Sequence, residues 1–251
     1  MNLAAEPAFS EDKLLGGRIK LRQPVEGYRV AIDPVFLAAA IPAAAGESVL
    51  DAGCGVGAAA LCLAARVPAV RVTGIDTQRE LVRLANDNIL LNDLTARVGA
   101  MTGDLLRPPP RLEPGSFAHV MANPPHLARD QGTPPPDPAK AEAQIEGAAD
   151  LAAWVRFALT MVRPKGTVTF IHRADRLERL LAELVGRAGE IVIFPLWAGA
   201  GKPARRVIVR ARKGVATPTL LLPGLVLHEP GGAFTAAAEA VLRDAAPLAL
   251  G

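Results

Sequence analysis

Two short stretches of this chain are equipped for chemistry: Asp51-Ala52-Gly53-Cys54-Gly55-Val56-Gly57 and, further along, Asn123-Pro124-Pro125-His126. The first follows the apolar run Ser48-Val49-Leu50. Glycines at 53, 55 and 57 remove Cβ atoms where a strand turns into a helix, so backbone can approach a ligand beneath a helix N-terminus. Acids at Asp51, Asp76 and Asp104 fall at or just after the ends of successive strand-like runs. Three carboxylates suit a cationic ligand far better than a pyrophosphate, and an acid at the end of the second strand can accept hydrogen bonds from ribose hydroxyls. The glycine spacing also departs from the Gly-x-Gly-x-x-Gly of dinucleotide sites. The second stretch suits a planar amine. Such a nitrogen is a poor nucleophile because its lone pair is delocalised; the Asn123 side-chain oxygen and the Pro124 carbonyl can accept both its hydrogens and orient it. Pro125 stiffens that corner at low conformational cost. This chemistry needs neither a metal nor a covalent intermediate.

The elements that must position these groups alternate. Val70–Ile75, Ala96–Thr102, Ala118–Ala122, Thr167–His172 and Glu190–Phe194 read as strands after Ser48–Leu50. Helical runs fall near Ala58–Arg66, Gln78–Leu91, Ala148–Val162 and Leu177–Arg187. This order predicts an α/β fold with a mostly parallel sheet covered by helices on both faces. In such a sheet the three acids share the C-terminal edge, where ligands bind. Arg205–Arg212 alternates in the manner of a late, partly exposed strand, expected as an antiparallel edge. Thr235 is the expected N-cap of a last helix, Thr235–Arg243. Two proline-rich loops, 107–115 and 129–138, interrupt the pattern, and the second follows the Asn-Pro-Pro corner closely enough to cover a site.

The glycine segment resembles motif I of class I S-adenosylmethionine (SAM)-dependent methyltransferases. That resemblance implies a Rossmann-like, seven-stranded sheet with an antiparallel strand and SAM as cofactor. It also implies Gly53, Gly55 and Gly57 near the methionine part, Asp76 on the ribose, Asp104 near the adenine, and Asp51 organising the turn and approaching the sulfonium. Asn123-Pro124-Pro125-His126 resembles the Asn-Pro-Pro-aromatic motif of enzymes that methylate exocyclic amines of adenine or guanine, or glutamine. His126 stands where Tyr, Phe or Trp is usual and, by that resemblance, stacks on a flipped base. Upstream, Gly27 to Leu37 resembles the segment before motif I in adenine methyltransferases acting on ribosomal and transfer RNA, which makes Asp33 a cofactor-closing residue. Asp33 also reads as a helix N-cap with Pro34 at N1.

The resemblance spans most of the chain and is best to the bacterial tRNA(Val) adenine-N6 methyltransferase group. It implies one methyltransferase domain, 48–251, with a lead-in, 1–47, packed on the cofactor site. Release-factor glutamine N5 methylation and ribosomal guanine N2 methylation are the alternatives, together with a non-catalytic SAM- or RNA-binding relative. The lead-in is short for the separate helical domain of the release-factor enzymes.

Composition agrees with an enzyme of this kind. Half of the 251 residues are hydrophobic, which excludes a disordered chain. No stretch is long and apolar enough for a membrane span or a secretory leader, and Cys54 and Cys62 read as reduced thiols, so a cytoplasmic location is expected. The net charge of +3 says little, but Lys202, Arg205, Arg206, Arg210, Arg212 and Lys213 follow one another without an acid. That stripe suits a polyanion, with Lys202, Arg205 and Arg206 as contacts to tRNA or other structured RNA. The solvated face of a strand is the competing reading. His119, His172 and His228 read as packing residues and no metal site is expected. Monomer and homodimer both remain open.

Overall fold

The computed structural model describes residues 9–25, 29–125 and 149–251. The chain begins with a hairpin of β1 (Phe9–Leu14) and β2 (Ile19–Pro24), a separate two-stranded sheet. The main sheet is built from β3 (Ser48–Ala52), β4 (Arg71–Asp76), β5 (Val98–Thr102), β6 (Phe117–Ala122), β7 (Val162–Arg173), β8 (Ala188–Trp197) and β9 (Ala204–Lys213). Their order across the sheet is β5-β4-β3-β6-β7-β9-β8, and β9 alone runs against its neighbours. Two short strands, β10 (Leu220–Leu221) and β11 (Leu225–Val226), pair in parallel with β8 and extend the seven expected strands to nine.

Side-chain alternation along the strands feeds a core on each face. Val49, Met121, Ile171 and Ile208 point to one, where α1 (Asp33–Ala39), α2 (Ala58–Arg66), α3 (Arg79–Leu91) and the last helix pack. Leu50, Val120, Val168, Phe170 and Val209 point to the other, under α4 (Leu151–Met161) and α5 (Leu177–Leu184). The last helix, α6 (Ala236–Asp244), has the expected N-cap: Thr235 accepts from the Ala238 amide at 3.2 Å. A second cap is Asp150 on Ala153 N, 2.8 Å, which starts α4. At the end of α1, Arg66 donates to the carbonyls of Ala38 and Ile41.

Three features differ from the sequence expectation. β9 is no edge strand: it lies between β7 and β8, and Val207 through Ala211 are all buried. Its arginines suggested exposure, yet Arg210 is only 5% exposed because its guanidinium donates to the main-chain oxygens of Leu250 and Gly251. Asp33 is not an N-cap; it is the first residue of α1, the cap position is Ile32, and no side chain caps it. Its carboxylate instead meets Arg206 of β9 at 2.7 Å, a charge-assisted hydrogen bond. The β1–β2 hairpin was not expected at all. Its inward positions are Ile19, Leu21 and Gln23, and the third of these breaks the apolar alternation.

Candidate active site

β3 and β6 are neighbours in register Ala52↔Ala122, so the glycine turn and Asn123 leave the sheet side by side. The strand order reverses direction at this pair, the switch point at which open α/β sheets bind ligands. Sequence-distant motifs thus share one ledge.

The turn is held by backbone and by one acid. Gly53 N and Cys54 N both donate to Ile75 O, at 2.8 and 3.0 Å. Gly55 N donates to Asp76 Oδ2 at 2.9 Å, while Asp76 Oδ1 accepts from Gln78 N at 2.9 Å. Asp76 thus pins the turn, and Asp51 accepts the Ala60 amide in the first turn of the helix that follows it. Gly55 has φ +52° and open space where a Cβ would stand. Gly53 has φ +69°, and a Cβ there would collide with the indole of Trp154 on α4, lying 3.0 Å from its Cζ3.

Asp51 has a different environment. It is 3% exposed, and its Oδ2 has no hydrogen-bond partner. Burial, reinforced by the nearby Asp76 charge, pushes its carboxyl up to about 7, although the Ala60 amide favours the ionised form. Asn123 Oδ1 is likewise buried without a partner. Asp104 sits beyond β5, where its Oδ1 accepts from Leu106 N at 2.8 Å and starts the loop that follows. His126 and the loop 129–138 lie outside the described residues.

Three supporting residues lie outside the sequence motifs. Asn88 of α3 is fully buried and joins three segments: it accepts from Arg22 N at 2.7 Å and donates to Arg22 O at 2.8 Å and Val56 O at 3.1 Å. One turn on, Asn92 brackets Lys20 in the same way. An Asn pair at i, i+4 on an otherwise regular helix was the available signal. The third residue is Trp154, visible from sequence only as one apolar position of an amphipathic helix.

The chain matches the family model for the methyltransferase small domain over residues 30–135. It is 27% identical over 189 residues to a tRNA1(Val) (adenine(37)-N6)-methyltransferase of Actinobacillus succinogenes, covering 74% of this chain and 77% of that one. It is 29% identical over 160 residues to a release factor glutamine methyltransferase of Moorella thermoacetica, covering 61% and 56%. A crystal structure from Agrobacterium tumefaciens, described as a predicted O-methyltransferase, superposes with a TM-score of 0.72 at 24% identity, covering 86% of this chain and 98% of that one. These similarities, all to methyltransferases, together with the fold support a SAM-dependent methyltransferase.

The ledge of this methyltransferase fits a sulfonium cofactor. The unpartnered Asp51 oxygen is a buried acceptor that a cation would satisfy, and the open space at Gly55 leaves backbone accessible. Both cysteines are buried and their thiols are pushed well up by burial, so they are inert walls. Among the described residues no group of three His, Cys, Asp or Glu side chains could hold a metal.

The basic stripe of the methyltransferase dissolves on folding. Arg212 pairs with Glu190 at 2.9 Å, Lys213 donates to Val162 O at 2.9 Å, Arg210 is buried, and Arg206 engages Asp33. Lys202 and Arg205 stay exposed in and beside the β8–β9 turn. Because β9 is antiparallel, that turn lies at the same sheet edge as Asn123. His119 is remote from the chemistry: it bridges Thr167 Oγ1, 2.8 Å, and Glu47, 3.0 Å, while burial holds its pKa down. A cleft of about 840 Å³ between β1, residues 29–35 and α6 is lined by part of the 27–37 segment but by no residue of the glycine turn or the Asn-Pro-Pro corner.

Proposed function

We propose that this methyltransferase N-methylates an exocyclic amine of RNA, adenine N6 of a tRNA first among them. The observation that carries this reading is Asn123 Oδ1, a buried acceptor without a partner beside the glycine turn. An amine N–H satisfies it, and the Pro124 carbonyl takes the second hydrogen. The nitrogen lone pair then faces the cofactor's side of the ledge. SAM supplies the electrophilic methyl group. Asp51 and Asp76 hold its positive and ribose ends, Asp104 borders the adenine, and the Asp33 segment with the rest of the lead-in forms a wall. Lys202 and Arg205 contact phosphate at the rim, with Arg206 beside them tied to Asp33. His126 is the group that stacks on the base.

The tRNA substrate is favoured by relatives named tRNA1(Val) (adenine(37)-N6)-methyltransferase, including one from Porphyromonas gingivalis at 30% identity over 61% of this chain. Glutamine N5 of a release factor is the second reading, favoured by the relative from Moorella thermoacetica and by the same amide-accepting corner. The test is methyl transfer from labelled SAM to total tRNA and, in parallel, to release factor, followed by mass spectrometry of nucleosides and peptides. N6-methyladenosine in tRNA is the expected product. Label in a release-factor glutamine replaces the RNA reading with the second one.

A further inference from the structure

Trp154 is the fourth position of α4, 8% exposed, with its ring edge laid on Gly53. Its Nε1–H is buried and has no hydrogen-bond partner. A buried indole N–H ordinarily finds an acceptor, and leaving one unsatisfied is costly. Packing alone does not account for a tryptophan here, since phenylalanine would cover Gly53 without stranding a donor. Nε1 stands two bonds from Cζ2, one of the ring atoms lying against Gly53. Two residues before that glycine lies the opposite orphan, the acceptor Asp51 Oδ2.

A lone donor and a lone acceptor flanking one glycine complement a zwitterion. We infer that Trp154 is a cofactor-binding residue whose indole N–H donates to the carboxylate of the cofactor's methionine end, opposite the cationic end held by Asp51. The inference rests on the assignment of the ledge to SAM and is independent of the methyl acceptor. It gives α4 a role in ligand recognition as well as in the core, and it makes the tryptophan a specificity element for an intact amino-acid tail.

The test compares S-adenosylhomocysteine with its analogue lacking the carboxylate, titrated calorimetrically into the full chain and into Trp154→Phe. A hydrogen bond to a charged group predicts a loss of roughly tenfold or more for S-adenosylhomocysteine in the variant and no change for the analogue. Equal losses for both ligands reduce Trp154 to a packing residue and overturn the inference. A second readout uses the wild-type protein, so it stands even if the variant misfolds. The indole ¹H–¹⁵N resonance of Trp154, assigned against Trp197→Phe, moves downfield with S-adenosylhomocysteine and not with the analogue. An unmoved resonance also overturns the inference. Failure of the wild type to bind S-adenosylhomocysteine at all strikes the cofactor assignment itself, a result distinct from either.

Discussion

A buried carboxylate with one empty oxygen makes a definite claim about pH. Asp51 rises from 3.8 to about 7 mainly through burial, so the ligand-free fold holds a proton that the unfolded chain releases three units lower. The stability contributed by that proton is fully present below pH 3.8 and is lost as pH rises through about 7. A cationic ligand reverses the preference and expels the proton. SAM affinity is therefore expected to climb with pH up to about 7 and to level off above it, while Asp51→Asn flattens the profile; calorimetry across that range checks both. Asn123 acts on the other reactant. Asn123→Ala is expected to lower kcat by about 10²–10³-fold, the scale of a lost transition-state hydrogen-bonding group, with SAM affinity unchanged. Parallel weakening of SAM would place Asn123 in the cofactor site instead.

At the scale of elements, the ledge depends on straps that join segments far apart in sequence. Asn88 ties the hairpin, α3 and the carbonyl of Val56 together with three hydrogen bonds. Asn88→Ala leaves the Arg22 amide and carbonyl and the Val56 carbonyl without this partner, the last of these bonds being buried, with an expected cost of about 1–3 kcal/mol in urea unfolding. SAM affinity falls with it, because Val56 belongs to the glycine turn. The pair Asp33–Arg206 links α1 to β9 in the same manner. Arg206→Ala leaves the Asp33 carboxylate, only 8% exposed, without this partner, and a lower melting temperature is the expected result. A change confined to RNA binding would show that the pair is not a strap.

For the whole molecule, the question is which cations remain for a polyanion once the sheet is closed. Folding consumes Arg210, Arg212 and Lys213 internally and leaves Lys202 and Arg205 at the rim of the ledge. The double replacement Lys202→Ala, Arg205→Ala is expected to weaken tRNA binding and to lower the salt slope by about two, at unchanged SAM affinity. A filter-binding series in salt checks it; an unchanged slope returns both residues to ordinary solvated surface. Among the described residues no helix is long and apolar enough to cross a membrane.

The sequence by itself determined the helix over Ala58–Arg66 to the residue, the strand and helix order of the sheet, and the two motifs. Those features rest on local rules: alternation, helical period, glycine where φ is positive, and proline at a corner. The register that sets Gly53 beside Asn123 is pairing between strands some seventy residues apart, and alternation cannot supply it. Nor could local pattern reveal that Gln23 and Arg210 are buried, because a polar side chain goes inside only when distant partners satisfy it: Asp12 and Val30 for the first, the terminal carbonyls for the second. The same reason hid Asn88, the pairing of Arg206 with Asp33, and the place of Trp154 against Gly53. Local chemistry named the reacting groups, and tertiary contacts decided which charges stayed outside to meet a substrate.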